Sequence, residues 1–224
     1  MNPIKPKDPV LEPMADFFAA RVEGYDAHML ANVEGCREAY PLVAELVPAE
    51  ARHILDLGCG TGLELDYLLP QRPALQVTGI DLSDTMLTAL RAKHPDKALH
   101  LICSDYFAVE LGAQVFDCAL SVESLHHFSH ARKLDLYCKL HAALVPGGCY
   151  IECDYMVDTQ AEEDFFLQEN ARLRQEQGLD ADGFFHYDTP FTVDNQMALL
   201  RQAGFSRVEH RFRKGNTSVI LAVK

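Results

Sequence analysis

The chain has 224 residues and a formal net charge of −13, and 48% of its residues are hydrophobic. A chain of this length can bury a substantial core and is typical of one globular domain with an elaboration. The acidic balance argues against a nucleic-acid ligand, because phosphates are bound by basic surfaces, and no apolar run has the length of a transmembrane helix.

Cysteine usage points to a reducing compartment. The seven cysteines are scattered through mostly apolar segments and form no C-x-x-C pair. This distribution favours free thiols over disulfides or a zinc knuckle. We therefore predict a cytoplasmic protein without a membrane partner, either a monomer or a homodimer.

The first 50 residues predict a tail followed by a helical cap. The opening stretch, "MNPIKPKDPVLEPM", is rich in proline and lacks the apolar core of a signal peptide, so a loose tail is expected. Apolar residues then recur at helical spacing from about residue 14 to 47. Pro41 predicts a break in the last of these helices.

From residue 51 onward, strand and helix patterns alternate. The predicted strands are "HILDL", "LQVTGIDL", "LHLICSD", "VFDCALSV" and "CYIECDY", the last placed after a "PGG" turn that ends the preceding helix. Helix-like segments separate most of these strands, and Ser83 is a predicted N-cap. Such alternation requires parallel strands with helices on both faces of the sheet.

The alternation ends at Asp154, and an insertion at about 156–191 follows. It comprises a long helix and the aromatic loop "LDADGFFHYDTP". A further helix and a hairpin around "KGN" complete the chain, so the sheet ends in an antiparallel pair. We predict one domain over 51–224, in which the insertion forms a lid.

The stretch "ILDLGCGTG" places a glycine loop between the first strand and the helix after it. Gly58, Gly60 and Gly62 allow a ligand to approach the backbone closely. A nicotinamide site would have G-x-G-x-x-G, but Leu63 occupies the position of the third glycine. Asp56 would repel an anion and attract a cation, which argues against a nicotinamide oxidoreductase.

Two further carboxylates follow the next strands. Asp81 ends the second strand, where an acid commonly accepts hydrogen bonds from ribose hydroxyls. Asp105 follows the third strand and can accept from an adenine amino group. A ligand with ribose, an adenine-like base and positive charge near the glycine loop has the properties of S-adenosylmethionine.

Five motifs in order resemble the class I S-adenosylmethionine-dependent methyltransferases, which are seven-stranded and Rossmann-like. They span about 53 to 154, and the later "LLRQAGFSRVEH" is similar to the family's last helix and strand. The motifs are "ILDLGCGTG", "VTGIDLSDTML", "ICSDY", "FDCALSVESLHHF" and "LVPGGCYIECD". The resemblance implies a doubly wound, mostly parallel seven-stranded α/β sheet with a C-terminal antiparallel hairpin.

The resemblance also implies which residues bind the cofactor. Those expected at its methionyl part are Asp56, Gly58, Cys59, Gly60 and Val122. Those expected at its ribose and adenine are Asp81, Leu82, Met86, Asp105 and Tyr106. Tyr25 of the cap is expected to fold over the cofactor, and His127 to line its pocket.

Catalytic candidates come from three segments. In "ESLHHF", His126 is placed to touch the acceptor, and Glu123 either does the same or caps a helix. Asp154 ends the fifth strand on the same side. In the insertion, His186 beside Asp188 would make a general base. His126, His127, Asp154 and His186 are also metal-ligand types, but no tight ligand spacing supports a metal, and none is assigned.

We therefore predict an enzyme that transfers the sulfonium methyl group of S-adenosylmethionine to a small-molecule acceptor by direct displacement. Two alternatives stay open. One is an RNA methyltransferase of the tRNA wobble-uridine type, which the acidic charge disfavours. The other is a cofactor-binding protein without methyl transfer.

Overall fold

A computed structural model describes residues 9–180 and 183–224. Residues 1–8 of the predicted tail and 181–182 of the predicted insertion lie outside the described residues. The helices are α1 (Met14–Ala19), α2 (Tyr25–Asn32), α3 (Cys36–Leu46), α4 (Leu63–Leu68), α5 (Asp84–Lys93), α6 (His130–Ala143), α7 (Gln160–Glu176) and α8 (Val193–Gln202). The strands are β1 (His53–Leu57), β2 (Gln76–Asp81), β3 (Leu99–Cys103), β4 (Phe116–Val122), β5 (Leu144–Val157), β6 (Phe191–Thr192), β7 (Arg207–Lys214) and β8 (Thr217–Val223).

The sheet has the strand order β3-β2-β1-β4-β5-β8-β7, and β6 pairs with β5 off this path. Strands β1 to β5 are parallel, whereas β8 is antiparallel to both β5 and β7. This arrangement confirms the predicted mixed sheet with its C-terminal antiparallel hairpin. The described sheet has eight strands and not seven, because the two-residue β6 is too short to leave an alternating pattern in the sequence.

Two local predictions were wrong. Pro41 lies inside α3 without breaking it, since buried neighbours such as Tyr40 and Val43 hold the helix against the core. The "PGG" segment does not separate helix from strand, because β5 begins at Leu144, directly after α6. Leu144 pairs with Phe116 and Cys149 with Cys118, so the segment between them bulges out of an otherwise continuous strand.

Apolar layers cover both faces of the sheet. Ile54 and Val77 belong to one buried cluster, whereas Leu55 and Ile80 belong to the other. Neighbouring strand residues point to opposite faces, so these central strands are apolar on both sides and carry polar side chains at their ends. None of the described helices combines the length and apolar character needed to cross a membrane.

Candidate functional site

The glycine loop after β1 has a left-handed backbone that glycine alone tolerates well. The φ angles of Gly58, Gly60 and Gly62 are 65°, 47° and 71°. A Cβ atom at Gly58 would lie 2.0 Å from Oγ of Ser124 in the loop after β4. The bare backbone at Gly58 therefore lets the loops after β1 and β4 approach each other at the carboxyl edge of the sheet.

Asp81 connects this loop to the end of β2. Its Oδ2 accepts a hydrogen bond from the Gly60 amide at 2.9 Å, and its Oδ1 accepts one from the Ser83 amide at 2.8 Å. Burial raises the pKa of Asp81, while these two hydrogen bonds lower it. The carboxylate is thus fixed in orientation where the two loops meet.

A small cavity, here called the strand-end cleft, lies beside these residues. It encloses about 50 Å³, and Met14, Phe18 and Tyr25 of α1 and α2 form part of its wall. Eight residues predicted to bind a cofactor line it: Tyr25, Gly58, Gly60, Asp81, Leu82, Met86, Tyr106 and His127. The structure therefore brings together residues that are up to about a hundred positions apart in the sequence.

Four other residues predicted to bind the cofactor lie outside this lining. Val122 and Cys59 are buried in the apolar layer on one face of the sheet. Oδ1 of Asp105 accepts a hydrogen bond from the Phe107 amide at 2.7 Å, which stabilises its own loop. Asp56 lies beneath the glycine loop and is 1% exposed.

Asp56 faces a second buried acid, Glu64 of α4. Burial raises the pKa of Asp56 to about 7. Burial and the charge of Asp56 together raise the pKa of Glu64 well above its usual value. Hydrogen bonding to the Glu64 side chain lowers the pKa of Asp56 in part, and no other described residue partners its carboxylate oxygens. The pair therefore forms a buried acidic site under the glycine loop that a positively charged group would stabilise.

A second, larger cavity adjoins the strand-end cleft and is here called the cap cavity. It encloses about 860 Å³ between the N-terminal helices, the loop after β4, the insertion and the β7–β8 turn. Phe18, Tyr25, Glu123 and His127 line both cavities. The two cavities therefore share a wall.

Backbone contacts close the cap cavity on one side. The Met14 amide donates to the Phe184 carbonyl, and the His186 amide donates to the Glu12 carbonyl, both at 2.9 Å. The ring of His186 stacks on Phe17, with the ring centroids 3.5 Å apart. The N-terminal cap and the insertion thus hold each other in place over the carboxyl edge of the sheet.

His126 has a different partner on each ring nitrogen. Nδ1 hydrogen-bonds to Oδ1 of Asp154, whose Oδ2 accepts from the Leu125 amide at 3.0 Å. Burial alone lowers the pKa of His126, but the Asp154 carboxylate outweighs it and raises the pKa to about 9. Nε2 lies 3.6 Å from Oδ1 of Asp188.

Asp188 is the centre of a histidine cluster. Its Oδ1 lies 3.5 Å from Nδ1 of His127 and 3.9 Å from Nε2 of His186, in addition to the contact with His126. This oxygen is buried and has no hydrogen-bond partner among the described residues. Burial lowers the pKa of His127 well below its usual value, so this imidazole is neutral.

Of the predicted catalytic residues, His126 and His186 line the cap cavity, whereas Asp154 lies behind His126 and does not. Sequence reasoning missed Met14 and Phe18, because helical periodicity does not reveal which other element a helix covers. Glu123 lies at the wall between the two cavities and has a left-handed φ of 49°. Its sequence context carries no signal for this backbone conformation.

The chain was compared with known proteins. A methyltransferase domain model matches residues 54–148. A carboxy-S-adenosyl-L-methionine synthase of Campylobacter concisus is 27% identical over 223 residues, covering 93% of this chain and 89% of that protein. The O-methyltransferase cnsE of Penicillium expansum is 29% identical over 184 residues, covering 80% of this chain and 61% of that protein.

Solved structures show the same fold. An O-methyltransferase family protein from Burkholderia thailandensis superposes with a TM-score of 0.69 at 20% identity. The superposition covers 95% of this chain and 64% of that one. The chain thus spans less than two thirds of the length of this structure and of cnsE.

Proposed function

Because the chain belongs to the class I S-adenosylmethionine-dependent methyltransferases, we propose that it methylates a small-molecule acceptor bound in the cap cavity. One observation carries this proposal: the cap cavity and the strand-end cleft share a wall formed by Phe18, Tyr25, Glu123 and His127. A methyl donor in the cleft and an acceptor in the cavity would therefore lie next to each other, beside these four shared residues. Holding two reactants in such a position is the main task of the protein in a displacement reaction.

The strand-end cleft suits the cofactor in three respects. The glycine loop leaves backbone exposed where a Cβ would intrude, and the carboxylate of Asp81 is fixed beside it. The buried Asp56–Glu64 pair favours positive charge nearby. Leu82, Met86 and Tyr106 line the cleft and would enclose the base. When bound, S-adenosylmethionine supplies a methyl group already activated by the sulfonium charge.

The cap must move for the cofactor to enter. The strand-end cleft encloses about 50 Å³, whereas small-molecule sites usually measure about 300–1,000 Å³. Met14, Phe18 and Tyr25 narrow it, and all three belong to α1 and α2. These helices therefore swing outward to admit the cofactor and close again to exclude water during the reaction.

In this proposal, histidines of the cap cavity activate the acceptor for methyl transfer. His186 lines this cavity, and in this proposal it receives the proton that the acceptor loses. His126, oriented by Asp154 from behind, stabilises negative charge that develops on the acceptor. Asp154 is thus a positioning residue, since it does not line the cavity.

A second candidate reaction is the synthesis of carboxy-S-adenosylmethionine. The near full-length match to the Campylobacter concisus synthase favours it. A carboxylate-bearing substrate could be held by Arg21 and the histidines that line the cap cavity. Mass spectrometry of the cofactor after incubation distinguishes the two reactions, because one yields S-adenosylhomocysteine and the other a carboxylated cofactor.

The proposal is tested by following S-adenosylhomocysteine release from small-molecule fractions. The wild-type chain should release it with at least one fraction, and His186→Ala should release it at least tenfold more slowly. His210→Ala is the matched control, since His210 is exposed on β7 and lines neither cavity. Binding of S-adenosylmethionine without release from any fraction would identify a cofactor-binding protein instead.

A further inference from the structure

The side chain of Asp188 is 37% exposed, but its Oδ1 atom is buried among histidines. Oδ1 of Asp188 has nitrogen neighbours at 3.5, 3.6 and 3.9 Å, which are too far for good hydrogen bonds. Buried polar atoms are nearly always hydrogen-bonded, and each exception needs an explanation. Nε2 of His127 is likewise buried without a partner among the described residues. Three imidazole nitrogens thus approach Oδ1 of Asp188 without forming a good hydrogen bond to it.

We propose that His126, His127 and Asp188 form a site for a divalent transition-metal ion. Their donor atoms all lie within 4.8 Å of one another. A tetrahedral ion with bonds of about 2.1 Å holds neighbouring donors about 3.4 Å apart. The observed separations of 3.5 and 3.6 Å between Oδ1 of Asp188 and the two imidazole nitrogens are close to this value.

The surroundings of the cluster support this assignment. Metal-binding histidines usually hydrogen-bond to a carboxylate through their other ring nitrogen, and Nδ1 of His126 does so with Asp154. Imidazole ligands suit zinc and similar ions better than magnesium or calcium. A rival cluster of Glu123, His126 and Asp154 also has close donor atoms. It would have to displace the charge-assisted hydrogen bond of Asp154 from Nδ1 of His126. The proposed ion would displace only the longer contact, 3.2 Å, of Nδ1 of His127 to the Tyr187 carbonyl.

The sequence offers His126 and His127 as metal-ligand types but does not predict that Asp188 joins them, because Asp188 is far along the chain from the adjacent histidines. The ligands meet only because the insertion folds back over the end of β4. The Thr189 amide bonds to the carbonyl of His126, which fixes the Asp188 segment beside the histidine pair.

Three protein ligands leave the fourth position of a tetrahedral ion open, as in catalytic metal sites. All three ligand residues line the cap cavity, so an acceptor bound in this cavity would lie near the ion. If the proposed methyl transfer holds, this site selects an acceptor with an ionisable hydroxyl group. An ion held there would lower the pKa of that hydroxyl. His186 would accept the hydroxyl proton, and the oxygen's electron pair would form the new bond to the methyl carbon as the thioether leaves.

Calorimetry with Zn²⁺ alone tests the site. Chelator-treated wild-type chain should bind about one equivalent, and Asp188→Asn should bind at least tenfold more weakly. His210→Ala, which removes an exposed histidine outside both cavities, is the matched control and should bind Zn²⁺ as the wild type does. Circular dichroism checks that each variant is folded. Co²⁺ added to the wild type should give the visible absorption of a tetrahedral ion, a readout that requires no variant.

Two results would overturn the inference. One is a wild-type chain that does not bind Zn²⁺ at concentrations up to about 1 mM. The other is a folded Asp188→Asn variant that binds Zn²⁺ as tightly as the wild type. S-adenosylmethionine binding is measured on the same samples. If the wild-type chain binds this cofactor but not Zn²⁺, the metal site is rejected and the proposed function still stands.

Discussion

The buried carboxylate of Asp154 holds the imidazole of His126 by Nδ1, so that Nε2 faces the cap cavity. Asparagine at position 154 keeps the size of the side chain but removes its charge. We expect Asp154→Asn to lower turnover at least tenfold, which corresponds to about 1.4 kcal/mol in the activation free energy. The KM for the cofactor should change little, because Asp154 does not line the strand-end cleft.

Steady-state kinetics with the acceptor identified by the release assay measure this split between kcat and KM. Asp158→Asn is the control, since Asp158 is exposed and pairs with Arg213 on the surface. Unchanged turnover in folded Asp154→Asn would show that the orientation of His126 does not matter to the reaction.

Asp81 should contribute strongly to cofactor affinity. We expect Asp81→Ala to raise the Kd for S-adenosylmethionine more than tenfold. Each charge-assisted hydrogen bond to a ribose hydroxyl contributes about 1.5–3 kcal/mol, and tenfold corresponds to about 1.4 kcal/mol. Calorimetry measures the Kd, and Asp84→Ala, which removes a neighbouring exposed acid, is the control. Equal affinity in folded Asp81→Ala and wild type would reject this role.

Gly58 and Gly178 have nearly the same left-handed φ but different surroundings. A Cβ atom at Gly58 would lie 2.0 Å from Oγ of Ser124, whereas one at Gly178 would meet no atom within 4 Å. Alanine at either position carries a backbone cost of about 1–2 kcal/mol. Gly58→Ala should lower the unfolding free energy by about 1–3 kcal/mol more than Gly178→Ala does, because the new methyl group overlaps with Ser124.

Urea unfolding of both variants measures this difference. Equal losses of unfolding free energy would mean that the loops after β1 and β4 are not in close contact. Gly58→Ala should also weaken cofactor binding, while Gly178→Ala should not.

The buried acid Asp56 should make stability depend on pH. An aspartate in an unfolded chain has a pKa of about 3.9, and burial raises the pKa of Asp56 to about 7. Between these values the folded chain holds a proton that the unfolded chain lacks. This contribution to stability is therefore full below about pH 4 and is lost as the pH rises to about 7.

Asp56→Asn removes this titration. The difference in unfolding free energy between the variant and the wild type should shift in favour of the variant by on the order of 2 kcal/mol from about pH 5 to about pH 8. Urea unfolding at the two pH values, without cofactor, measures the gain. A constant difference between variant and wild type would contradict the raised pKa.

Much of the fold could be predicted because it depends on patterns along the chain. The parallel strands are apolar runs, and the glycine loop and Asp81 mark their ends, so the sheet and one side of the strand-end cleft follow from the sequence. The role of Phe18 and the convergence of Asp188 with His127 could not be predicted. Both depend on how the N-terminal helices and the insertion cover the sheet, and neither arrangement leaves a periodic signal.

The central claim is that the methyl group goes to a small molecule in the cap cavity, and one labelling measurement tests it most directly. The chain is incubated with S-adenosylmethionine carrying a labelled methyl group, a small-molecule extract and total tRNA together, and the products are separated by size. The account predicts label in a small product, and less of this labelled product with the Asp81→Ala variant. Label recovered in tRNA, with none in small molecules, would contradict it.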